Sequence, residues 1–131
     1  MKKKMVMIVD DNREFLEELQ ETLSLNGYDT TAFSDGASAL KMVNKVKPDI
    51  ILLDLKLDKK SGFRVADELK HLPETTHIPI IAMTGFYTEK EHRILMNTCD
   101  IHTCIIKPFS PLDLIEEINE ILQEKGNSDI A

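Results

Sequence analysis

A chain of 131 residues, 42% hydrophobic and 30% charged, has the size and composition of one globular domain that can bury a core without disulfides or a structural metal. Its formal charge of −7 argues against nonspecific nucleic-acid binding, which needs a surplus of Lys and Arg against phosphates. The single basic run, Lys2-Lys3-Lys4, reads as a solvated N-terminus.

Apolar runs and helical patterns alternate along the chain. Met5 to Val9 is a short continuous apolar run of the kind a buried strand shows. Phe15, Leu16, Leu19 and Leu23 recur at helical spacing, and Asn26-Gly27 stops that helix. Residues 28–33 are more polar and suit an edge strand. Asp35 caps a second helix with an inner face of Ala39, Leu40, Val43 and Val46, closed off by Pro48. Residues 50–53, the most apolar strand, run directly into Asp54. A polar loop of Asp58, Lys59, Lys60, Ser61 and Gly62 leads to a third helix carrying Val65, Ala66, Leu69 and Leu72. A fourth strand is expected over residues 78–83, a weakly amphipathic fourth helix over 89–97, and a fifth strand over 103–106. The last helix starts after Ser110, with Pro111 at its first position and Asp113 placed for a capping box. Its stripe is Leu114, Ile115, Ile118, Ile121 and Leu122. The domain is expected to span 1–124, with 125–131 a C-terminal tail.

Five strands alternating with five helices imply an α/β domain, a doubly wound parallel sheet in a flavodoxin-like three-layer sandwich. A polar second strand at the edge fits the order 2-1-3-4-5. No apolar stretch approaches the roughly 18 residues of a membrane span, and nothing resembles a signal peptide, so a cytoplasmic location without membrane contact is expected. Cys99 and Cys104 lack CxxC spacing and a partner His at zinc-site spacing. They read as small apolar residues in a reducing compartment.

In such sheets ligands bind beyond the carboxyl ends of the strands. The first strand delivers Asp10 and Asp11 there, the third Asp54, the fourth Thr84 and the fifth Lys107. Three carboxylates together repel one another, and one lysine cannot balance them. A hard divalent ion with oxygen ligands can, and Mg²⁺ is the usual one where phosphate is handled. A carboxylate can act as a nucleophile towards phosphorus, with a metal and a lysine neutralising the transferring oxygens. No His or Ser stands where a second nucleophile or base belongs, which points to a protein that receives a group and holds it.

These residues resemble the receiver domains of two-component signalling over about residues 4–123. The matching pieces are Val9-Asp10-Asp11-Asn12, Leu52-Leu53-Asp54, Gly62, Met83-Thr84 and Lys107-Pro108-Phe109. The resemblance implies that Asp54 is the phospho-acceptor. It implies that Asp10, Asp11, Asp54 and the backbone carbonyl of Lys56 hold Mg²⁺, Asp10 through a metal-bound water. Thr84 and Lys107 would bind the phosphoryl group, and the Lys107-Pro108 bond would be cis. The donor would be a histidine kinase or a histidine phosphotransfer protein, docked partly by the first helix around Phe15. The output would be a downstream effector protein or output domain at the fourth helix, fifth strand and last helix. Direct control of nucleic acid is not expected, because no helix-turn-helix follows. A homodimer through the last two helices is left open. The alternative is a degenerate receiver acting as a constitutive, phosphorylation-independent binding module. The chain is not expected to be an enzyme beyond its own phosphorylation and slow dephosphorylation.

Four departures from the family pattern stand out. Cys104 replaces the usual aromatic of the fifth strand, so the switch is expected either to be muted or to use neighbours such as Ile101 or Phe86. Asp100-Ile101 replaces Gly-Ala, Asp58 replaces Pro, and Gly85 replaces Ala after Thr84. Lys56 and Phe86, at the rim, are expected to obstruct hydrolytic water and lengthen the phosphoryl lifetime.

Overall fold

The computed structural model describes residues 2–57, 61–85, 90 and 101–130, with residues 125–130 described by backbone only. Two strands, Ile50–Asp54 (β3) and Ile80–Thr84 (β4), are buried at every position. That pattern requires cover on both faces of the sheet. Met5–Val9 (β1) is buried from its second residue onward, whereas Asp29–Phe33 (β2) and Thr103–Ile106 (β5) are only partly buried and form the edges. All five strands pair in parallel in the order β2-β1-β3-β4-β5, as expected from the polar second strand.

Side chains alternate between the two faces with the period of a strand. Met7, Val9, Ile51, Leu53, Ile80 and Ala82 pack with Gly36–Val46 (α2) and Gly62–His71 (α3). Val6, Ile8, Ile50, Leu52, Ile81 and Met83 pack with Arg13–Leu25 (α1) and Pro111–Ile130 (α4). The described residues therefore hold four helices, not the five expected. Apart from residue 90, the helix expected over 89–97 lies outside the described residues, as do Asp58, Phe86, Cys99 and Asp100. Among the described residues no helix is long and apolar enough to cross a membrane.

Helix starts follow local chemistry. Asn12, Asp35 and Ser61 cap α1, α2 and α3 by accepting from the N–H groups of Phe15, Ser38 and Arg64. Boundaries moved where backbone hydrogen bonding overrode periodicity. β4 pairs from Ile80 rather than residue 78, because Pro79 has no N–H to donate, although its carbonyl accepts from Ile51. Leu72 does not join the α3 stripe: the helix ends at His71 and Leu72 is 41% exposed. α4 continues through Gly126 to Ile130, past the expected start of the tail. One interior glycine costs only about 1 kcal/mol against alanine, too little alone to end a helix.

Candidate functional site

The parallel register sets the ends of the central strands level: Val9 lies opposite Leu53, Asp54 opposite Met83, and Thr84 opposite Ile106. The residues at or just beyond those ends are Asp10, Asp11, Asp54, Thr84 and Lys107. Asp10 is fully buried and its N–H donates to the Phe33 carbonyl at 3.1 Å. Its Oδ1 accepts from the Asn12 N–H at 2.9 Å, so the residue that caps α1 also orients the first acid. Asp54 is 6% exposed and Thr84 1%, while Asp11 stands at the surface. The Lys107 N–H donates to the Thr84 carbonyl at 2.6 Å, and the Lys107-Pro108 bond is cis, as the resemblance implied.

Carboxylate oxygens of Asp10, Asp11 and Asp54, one from each, lie within 4.8 Å of one another. Lys107 Nζ donates to Asp10 Oδ2 at 2.5 Å and lies 3.8 Å from Asp54 Oδ2. Burial pushes the Asp54 carboxyl above the ordinary carboxylate value. The Lys56 N–H, donating to Oδ1 at 3.2 Å, and the Lys107 charge pull it down, while Asp10 and Asp11 push it up. An all-oxygen donor set with three acids against one lysine fits a hard divalent cation such as Mg²⁺.

Two features escaped the sequence reading. Gly62 opens α3 directly against the end of β3. Its N–H donates to the Leu55 carbonyl, and a Cβ there would sit 2.2 Å from the Asp54 carbonyl oxygen. No local pattern marks that close approach. Phe15, expected in the apolar stripe of the first helix and at a docking surface, places its ring 4.3 Å from Lys107 Nζ. The two residues lie far apart in sequence, and the packing of α1 on the face it shares with α4 brings them together.

The family model of the response regulator receiver domain matches residues 6–119. The chain belongs to the response regulator receiver domain family. It is similar to the polar-differentiation response regulators DivK of Brucella anthropi and Brucella ovis. Each is 37% identical over 120 residues, covering 91% of this chain and 96% of the relative. Its fold is similar to a CheY-like receiver from Methanospirillum hungatei, with TM-score 0.90 and 24% identity, covering 97% of this chain and 99% of the other. A response regulator from Chloroflexus aurantiacus gives TM-score 0.85 and 26% identity, covering 93% and 99%.

Within this receiver, Cys104 is partly buried and packs against the core shared with α2 and α3. Ile101, one of the two residues expected to compensate for the missing aromatic, is 3% exposed in that same cluster. Lys56 is exposed at the rim, as expected.

Proposed function

We propose that this receiver takes a phosphoryl group onto Asp54 from the phosphohistidine of a kinase or histidine phosphotransfer protein. A carboxylate oxygen of Asp54 forms the new bond to phosphorus. The bond from phosphorus to the donor imidazole nitrogen breaks, and that nitrogen keeps the electron pair and takes a proton. Asp54 serves as nucleophile because it ends the central strand, flanked by the other two acids. Asp10, Asp11, Asp54 and the Lys56 carbonyl are the proposed Mg²⁺ holders. When bound, Mg²⁺ neutralises charge on the transferring phosphoryl oxygens. Lys107 supplies a second positive charge to those oxygens, and the Thr84 hydroxyl a hydrogen-bond donor. The chain then acts as a switch in the cytoplasm, passing its state to a downstream protein rather than turning over substrates.

The observation that supports this reading most is the meeting of Asp10, Asp11 and Asp54 within 4.8 Å, with Lys107 reaching two of them. The test is intact mass after incubation with acetyl phosphate and Mg²⁺, on wild type and Asp54→Ala. The expected result is a gain of about one phosphoryl group that requires Mg²⁺ and is lost in the variant. No gain in wild type, repeated with a phosphohistidine donor, would leave the chain a phosphorylation-independent binding module.

A further inference from the structure

The geometry points to Phe15 as a positioning residue for Lys107, its ring face holding the ammonium at the mouth of the acidic cluster. The inference rests on the reading of Asp54 as phospho-acceptor and adds a residue to it.

Lys107 Nζ lies 4.3 Å from the Phe15 ring centroid, well inside the range of a cation–π contact. The Lys107 side chain is only 23% exposed, and such contacts strengthen as water is removed. The ring is itself held. It meets Phe109 edge to face, with centroids 5.9 Å apart and planes at 86°, and the Phe15 N–H is bound by Asn12 Oδ1 at 3.1 Å. Lys107 is tied at its backbone to Thr84. Two rigid anchors, the first turn of α1 and the residue after β5, thus fix both partners.

The kind of partner matters. Asp10 already takes a hydrogen bond from Nζ. Another carboxylate would compete with the phosphoryl oxygens for the ammonium. A ring face attracts the cation without accepting one of its conventional hydrogen bonds, so the ammonium stays ready to turn towards Asp54. Phe15 and Lys107 also line an open groove of about 540 Å³ with Leu19, Pro108 and Phe109. Without the ring, that groove offers the ammonium a route away from the site.

The experiment uses the full chain with Phe15→Leu, Phe15→Met, Phe15→Tyr and Phe15→Trp. Melting curves confirm that each is folded at the assay temperature, and Met replaces Leu if Leu is not. Phosphorylation rate with acetyl phosphate and Mg²⁺ is read by intact mass. Proton NMR reads the Lys107 ε-methylene shifts. Leu or Met should slow phosphorylation roughly three- to tenfold, and Tyr and Trp should restore it. The upfield ring-current shift of the ε-protons should vanish with Leu or Met and persist with Tyr or Trp. A wild-type rate in the aliphatic variants, equal slowing in all four, or unchanged ε-proton shifts would overturn the positioning role and leave Asp54 phosphorylation standing. Failure of wild type itself to gain a phosphoryl group would overturn both.

Discussion

Asp54 carries an electrostatic burden that should be visible in stability. Burial raises its folded-state pKa above the ordinary value, so the folded state holds its proton more tightly than the unfolded state does. Stability therefore falls as pH rises from the ordinary carboxylate value through the raised one, and the penalty is complete above it. Asp54→Asn removes the charge, relieves repulsion from Asp10 and Asp11, and keeps an oxygen to accept from the Lys56 N–H. With Mg²⁺ chelated, the variant should melt above wild type at neutral pH, and the difference should close below about pH 4. A variant that melts lower at neutral pH would mean that Lys56 and Lys107 outweigh burial and the neighbouring acids.

At the scale of elements, the contact between α3 and the end of β3 leaves no room for a side chain at Gly62. The Cβ of Gly62→Ala would meet the Asp54 carbonyl oxygen at 2.2 Å and Leu55 Cα at 2.6 Å, both backbone atoms that no side-chain rotation can move aside. Overpacking of this kind costs about 1–3 kcal/mol, which for a domain of this size lowers the melting temperature by roughly 3–10 °C. Gly85→Ala is the matched control, since nothing lies within 4 Å of its added Cβ. It should stay within about 0.5 kcal/mol of wild type. Melting curves of both variants check the pair. Equal melting temperatures would show that α3 can retreat from β3.

Across the whole molecule, acidic excess and a concentrated acid cluster should make the folded state gain stability from a bound counter-ion. The chain carries −7 overall, and three of its acids share one strand-end region. A cation that binds only the folded form stabilises it by mass action, about 2.7 kcal/mol at a hundred times Kd. Thermal melts with added Mg²⁺ should therefore rise in wild type and fall back on chelation. Asp11→Asn should blunt the rise, because it removes one of the three clustered carboxylates. An undiminished Mg²⁺ shift in Asp11→Asn would remove Asp11 from the proposed ligands.

Much of this architecture was legible in the residues themselves. Val6 to Val9 and Ile50 to Leu53 are apolar without alternation, and only a strand covered on both faces accepts that. The helix starts at Asn12, Asp35 and Ser61 are local hydrogen-bonding events, and Asp35 could be read directly. The acids and the lysine were legible because strand ends in a parallel sheet share one side, which makes position in sequence a guide to position in space. Contacts that depend on how elements approach one another were not legible. The fit of Gly62 against the Asp54 backbone follows from the depth at which α3 seats on β3. The meeting of Phe15 with Lys107 follows from packing α1 beside the loop after β5, on the face that α1 shares with α4. Sequence periodicity reports which face of an element is buried. The distance and angle between two buried faces are set only when all the side chains between them pack at once.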